Sequence, residues 1–198
     1  MDKLALLKKF APLFIDSEHT NKAVRGITID TWGHAYVTDG IQLLRVREAY
    51  PEGFEGVVDL KGKRLEVERV KAERLVPDVP VVAEVTVADT LAAVKHLRDI
   101  LKASTHKKNF DPIKLVGLGG ELNLTVGALG MDGIQGSYHI GKSQPFVKCV
   151  EINRLIKCLE VFDYFTETVS IASADSEMQP LQLIHGEITC LLMPIREC

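Results

Sequence analysis

The segment Gly136-Ser-Tyr-His-Ile-Gly141-Lys142-Ser143 has the G-x-x-x-x-G-K-[ST] spacing of a phosphate-binding loop. In such a loop backbone amides cradle phosphate, while the lysine and hydroxyl serve phosphate and magnesium. That chemistry needs a helix to begin at the Gly-Lys-Ser, because its amino-terminal dipole holds the phosphates. Here Gln144-Pro145-Phe146-Val147 follows, and the next patterned stretch reads as a strand. A loop between two strands is therefore favoured, with a nucleotide site as the alternative. Gly117-Leu118-Gly119-Gly120 is a weaker signal, since Leu122 stands where the third glycine of a dinucleotide fingerprint belongs.

Other chemistry-bearing residues fall into three groups. Cys149, Cys158, Cys190 and Cys198 form no C-x-x-C pair and have no zinc rhythm, so they read as reduced thiols in a cytoplasmic protein. No metal or cofactor is implied. Lys95, Arg98 and Lys102, at spacings of three and four, form one helical stripe roughly opposite Leu97 and Leu101. Lys3, Lys8 and Lys9 decorate an amino-terminal helix, Arg154 and Lys157 a third helix, and Lys107 and Lys108 a loop. With 24 Lys plus Arg against 27 Asp plus Glu, the formal net charge is −3, so bulk charge would not draw the chain to nucleic acid. Only basic residues concentrated on one face could do so. The same stripe also fits a solvated helix face, and no interleaved aromatics support stacking on single-stranded bases. Contacts of this kind would reach phosphates and carry no sequence preference. Finally, the apolar strand from Ile188 runs into Met193-Pro194-Ile195-Arg196. Composition leaves two readings open: a core strand with a tail, or an adaptable apolar surface for a peptide.

These groups need a scaffold, and composition supplies one. The 198 residues are 46% hydrophobic and 26% charged, inside the globular range and long enough to bury a substantial core. No window approaches the run of about twenty apolar residues that spans a bilayer, and Lys8 and Lys9 interrupt any signal-peptide core. The expectation is a soluble chain that is not exported.

Leu4, Leu7, Phe10 and Phe14 mark a helix over residues 3 to 15 that Pro12 should end or kink. Strands are expected at Val24 to Ile29, His34 to Thr38 and Leu43 to Val46, separated by Thr31-Trp32-Gly33 and Asp39-Gly40. Lys61 to Arg74 fits neither period. Pro77-Asp78-Val79-Pro80 reads as an extended linker, dividing the chain into domains at 1–80 and 81–198. Beyond it, Asp89 can cap a helix to about Ala103 with Val94, Leu97, Ile100 and Leu101 turned inward. Strands follow at Ile113 to Val116, Leu122 to Val126, Ile134 to His139 and Val147 to Ile152. A helix over Arg154 to Phe162 precedes strands at Thr168 to Ala172, Leu181 to Ile184 and Ile188 to Met193. The pattern is a weak repeat of a helix followed by an antiparallel meander, an α+β architecture with two domains.

Three motifs resemble the bacterial DNA sliding clamp, the β subunit of DNA polymerase III. Met193-Pro194-Ile195-Arg196 is similar to the Met-Pro-apolar-Arg ending of that family. Thr38-Asp39-Gly40-Ile41-Gln42-Leu43 resembles its Thr-Asp-Gly-His-Arg-Leu motif, with Ile41 and Gln42 in place of the His-Arg pair. Val76-Pro77-Asp78-Val79 is similar to its interdomain linker. Residues from about 84 to 198 resemble a whole carboxyl-terminal clamp domain, whereas Lys61 to Arg74 is too short for the second helix of a complete one.

The resemblance implies the DNA clamp fold and a processivity factor without catalytic residues. Such a factor would be a ring that encircles duplex DNA without sequence specificity and tethers a polymerase. The family has three domains per chain and closes a six-domain ring as a dimer. Two domains per chain would reach six as a trimer, which is favoured over a dimer. The resemblance places Lys8, Lys9, Lys95, Arg98, Lys102 and Lys157 facing DNA. It assigns a groove for short polymerase and clamp-loader peptides to Thr38, Gly40, Leu43, Pro77, Val81, Arg154, Leu181, Leu191, Met193, Pro194, Ile195 and Arg196. A third possibility is a clamp-like decoy that binds these peptides without forming a ring.

Overall fold

The computed structural model describes residues 2–103, 111–127, 135–176 and 178–195. It divides into two compact units, Met1–Asp78 with Gly186–Leu191, and Val79–His185 with Leu192–Cys198. The division falls within the Pro77–Pro80 stretch. Gly186–Leu191 groups with the first unit, although the sequence reading assigns it to a domain running to the carboxyl end.

In the first unit, α1 (Lys3–Phe10) starts at Asp2, whose carboxylate accepts the Leu4 and Ala5 amides, and ends where Pro12 forces a 3-10 turn, Ala11–Leu13. Leu6, Leu7 and Phe10 bury one side of it. A 3-10 turn over Lys22–Arg25 replaces the start of the expected first strand, because the Asn21 side chain caps it by accepting the Ala23 amide. Strands β1 (Ile27–Ile29), β2 (Ala35–Thr38) and β3 (Gln42–Val46) form the antiparallel meander, followed by β4 (Gly56–Val58) and β5 (Arg64–Leu65). The ambiguous Lys61 to Arg74 stretch thus contains β5, and the 3-10 turn Ala72–Leu75 stands where a second helix would be.

The second unit starts with β6 (Val81–Thr86) and α2 (Val87–Ala103). Asp89 lies in the first turn of α2 and does not cap it, since the helix begins two residues earlier, at Val87. Ile100 and Leu101 are half-buried, while Val94 and Leu97 are fully buried. Next come β7 (Pro112–Leu118), β8 (Glu121–Val126), β9 (Gly136–Lys142), β10 (Phe146–Glu151), α3 (Ile152–Asp163), β11 (Thr168–Ala172) and β12 (Leu181–His185). The Glu151 carboxylate accepts the Asn153 and Arg154 amides and so starts α3 two residues ahead of the expected Arg154. Ile134, the expected start of β9, lies outside the described residues.

The closing strand β13 (Ile188–Leu192) lies beside β3, so the first unit's sheet has the order β5-β4-β1-β2-β3-β13. The second unit holds a β12-β11-β6 ladder and a separate four-stranded sheet, β10-β7-β8-β9, with α2 packed on α3. Ile113, Leu115, Leu122 and Leu124 give that sheet its buried face, and Leu155, Ile156, Leu159 and Phe162 line the inner side of α3. Together these elements make an α+β fold. Cys158 and Cys190 are buried, but Cys149 is disulfide-bonded, which corrects the expectation that every cysteine is reduced. Cys198 lies outside the described residues. No helix of the described residues is long and apolar enough to cross a membrane.

Candidate nucleic-acid and peptide-binding surfaces

The phosphate-loop spacing is carried by a strand. Gly136–Lys142 is β9, paired antiparallel with β8, and the next regular element is another strand, β10. Among the described residues no helix amino terminus points at Gly141-Lys142-Ser143, and this segment's amides serve the β-ladder and turns. The Ser143 amide bonds the Gly120 carbonyl, and its hydroxyl donates to the Glu121 carbonyl. Gly136 has a packing reason to be glycine, because a Cβ there would sit 2.7 Å from Leu97 Cδ2 of α2. The nucleotide-site alternative is overturned. Gly119 and Gly120 form the turn between β7 and β8.

The basic stripe exists on α2. Lys102 is exposed and Lys95 and Arg98 are half-buried along their stems. Lys157 is half-buried on α3, the helix packed against α2. These cations do not stand alone: Lys95 Nζ lies 3.1 Å from Glu160 Oε1, and Arg98 Nη2 3.2 Å from Asp99 Oδ1. In the first unit, Lys8 and Lys9 are exposed in the last turn of α1, where cations suit the carboxyl end of the helix dipole. Lys9 Nζ also sits 5.2 Å above the Phe10 ring. Lys3 is committed elsewhere, with its ammonium 2.6 Å from Glu187 Oε2. Lys107 and Lys108 lie outside the described residues.

The positions assigned to a peptide groove divide between the units. In the first, the Thr38 hydroxyl donates to the Gln42 carbonyl at 2.7 Å and accepts the Gly40 amide at 3.0 Å, closing the β2–β3 turn. Leu43 and Leu191 meet in one buried cluster with Tyr36 and Ala72, against which Val70 and Val76 pack. Pro77, next to Val76, is half-buried. In the second unit, Val81 and Met193 are exposed, Arg154, Pro194 and Ile195 are half-buried, and Leu181 is core. The Ile195 amide donates to the Cys149 carbonyl at 2.8 Å, which fixes the end of the described chain against β10. Arg196 lies outside the described residues. Leu43, Leu181 and Leu191 are buried in this structure, so none of the three presents its side chain to solvent.

Several participants were not singled out from sequence. Tyr36 and Ala72 complete the apolar cluster, and Tyr36 could have been found from the alternation of β2. The Tyr36 hydroxyl donates to Asp30 Oδ2, and burial, reinforced by that carboxylate, pushes its phenol well above the usual tyrosine value. Arg45 is held below its ordinary value by burial, with Arg47 adding repulsion, and its Nη2 donates to Thr189 Oγ1 at 2.8 Å. Gln42 is buried, with Nε2 reaching the Leu13 carbonyl at 2.9 Å, so it ties the 3-10 turn after α1 to the β2–β3 turn. No group of three or more His, Cys, Asp or Glu among the described residues is placed to hold a metal ion.

Comparison with known proteins adds a clear fold assignment. No protein-family model matches the chain, and no curated protein sequence matches it. Solved structures do match. The Caulobacter crescentus beta sliding clamp is 18% identical with a TM-score of 0.79, covering 100% of this chain and 64% of that one. The DNA polymerase III subunit beta of Bartonella birtlesii, solved bound to griselimycin, is 16% identical with a TM-score of 0.78, covering 98% and 64%. The DNA polymerase sliding clamp of Pseudomonas aeruginosa, solved with a ligand, is 12% identical with a TM-score of 0.79, covering 99% and 64%. This chain therefore spans a little under two thirds of the length of those clamps. Its two units of helix and antiparallel meander, matched along the whole chain, have the DNA sliding clamp fold.

Proposed function

We propose that this protein is a DNA sliding clamp: a non-catalytic homo-oligomeric ring that encircles duplex DNA and holds a polymerase to it. The observation that carries this reading is the whole-chain match to bacterial clamps. The basic side chains Lys95, Arg98 and Lys102 on α2 and Lys157 on α3 support it, because sequence-independent phosphate contact is what a sliding ring requires. Retention would come from topology and not from affinity, so a chain with net charge −3 can serve. Unit 1 and unit 2 would act as two clamp domains, and three chains would supply a six-domain ring. The edge strands left open in each unit would pair between chains, which also protects them from aggregation.

The peptide-binding role assigns Met193, Pro194, Ile195, Val81, Gly40 and Pro77 to contact with short segments of polymerases and clamp loaders. Leu43, Leu181 and Leu191 would act as buried support, and Arg154 and Arg196 would complete the set. Apolar anchors would dominate affinity in such a groove. This reading places the protein with the replication machinery in the cytoplasm. Light scattering of the purified chain tests the assembly: the mass of three chains is expected. A single-chain mass that still binds a clamp-motif peptide would point instead to a decoy of the clamp.

A further inference from the structure

The cations on the helical face of the second unit differ in their company. Lys95 on α2 bridges to Glu160 on α3 at 3.1 Å, and Arg98 gives both Nε and Nη2 to Asp99 Oδ1, at 3.3 and 3.2 Å. Among the described residues, Lys102 and Lys157 make no ion pair. The Lys95 and Glu160 side chains are 41% and 39% exposed, so solvent, and equally a phosphate, can reach the pair. An exposed pair of this kind is weak and opens readily.

We propose that Glu160 is a built-in counter-ion that competes with duplex phosphate for Lys95, with Asp99 in the same role for Arg98. This rests on the reading of α2 and α3 as the DNA-facing helices. A lysine that releases a phosphate would otherwise return to water alone. Here it exchanges one charge-assisted partner for another a short side-chain rotation away. Each phosphate site on this face is therefore shallow at Lys95 and Arg98 and deeper at Lys102 and Lys157. The carboxylate also occupies Lys95 part of the time, which lowers the mean number of phosphates neutralised. For a ring that must move along DNA, contacts that exchange without stranding a charge avoid pinning it in one register.

Glu160 could instead only staple α3 to α2, and any lost negative charge near DNA would strengthen binding through the general field. A double-mutant cycle separates these roles. Full-length protein, Glu160→Gln, Lys95→Met and the double variant are titrated against a fluorescently labelled duplex across a range of salt, with anisotropy as the readout. Glu160→Gln should bind roughly two- to fivefold tighter at low salt. Its plot of log K against log salt should steepen by up to about one. In the Lys95→Met background the gain should vanish. An equal gain in both backgrounds, or no gain although Lys95→Met weakens binding, overturns the counter-ion role. If the unaltered protein does not bind duplex, or Lys95→Met binds as well as it does, the DNA-facing reading itself fails.

Discussion

The Tyr36 hydroxyl donates to Asp30 Oδ2 at 2.9 Å, while Oδ1 of the same fully buried carboxylate accepts the Trp32 and His34 amides. One buried charge therefore holds the β1–β2 turn and fixes the ring of Tyr36 beside Leu43, Ala72 and Leu191. Such a carboxylate is tolerable only with its donors in place.

Tyr36→Phe removes one of those donors at little change in shape. It should lower stability by about 1–3 kcal/mol, as a buried oxygen is left unpaired, measured by urea unfolding. The raised Tyr36 phenol also has a pH consequence. The neutral form is favoured in the folded chain, so this contribution is fully present below the unfolded tyrosine value near pH 10 and is lost as pH climbs above it. The unaltered protein should lose stability above about pH 10, and Tyr36→Phe should lose less over that window. Parallel curves would show that Tyr36 does not carry the effect.

Gly33→Ala should be among the most damaging single changes. The backbone there has φ of +76°, and an added Cβ would lie 2.1 Å from the Tyr50 carbonyl oxygen. A backbone clash cannot be relieved by rotating a side chain, so a loss of about 3 kcal/mol or more is expected in thermal or urea unfolding. A change below about 1 kcal/mol would mean the Thr31–Gly33 turn and the Tyr50–Pro51 segment are not held together as described.

Lys148 is fully buried on β10, and its ammonium donates to the carbonyls of Ser176 and Gln179. Lys148→Met keeps the aliphatic length but leaves these carbonyls without that donor. It should destabilise by about 2–3 kcal/mol and raise amide hydrogen exchange in the segment after Ala172. Unchanged exchange there would contradict the role of Lys148 as its anchor.

Much of this architecture was legible in the sequence because it obeys a period. The spacing of Leu7 and Phe10 marks α1, and that of Val94 and Leu97 marks α2. The first unit's shorter strands carry no such stripe. Strands β4 and β5 are three and two residues long, too short to show a period, and they are defined by their neighbours. Lys148 and Asp30 run against the expectation that charges stay outside, since only three-dimensional donors and acceptors make their burial tolerable. The Gly136-to-Ser143 spacing shows the converse: a motif without its helix is only a strand, and its first glycine serves contact with Leu97. Lys95, Arg98 and Lys102 were visible as a stripe, but Glu160 lies on another helix and could not be paired with Lys95 by spacing.

The groove assignment predicts that Met193→Ala weakens binding of a Gln-containing clamp-motif peptide by roughly tenfold, with the fold unchanged by circular dichroism. Removal of residues 193 to 198 should abolish it. Unaltered affinity in both variants, measured by calorimetry, would remove this surface from peptide recognition.

The proposed ring would be threaded by duplex DNA and held on it by topology alone. Retention of the assembled protein on circular duplex, followed by gel filtration before and after a single restriction cut, reads this out. The ring account predicts co-elution with the closed circle and release once the DNA has ends. Equal retention on circular and linear DNA would show that affinity holds the protein and that no closed ring encircles the duplex.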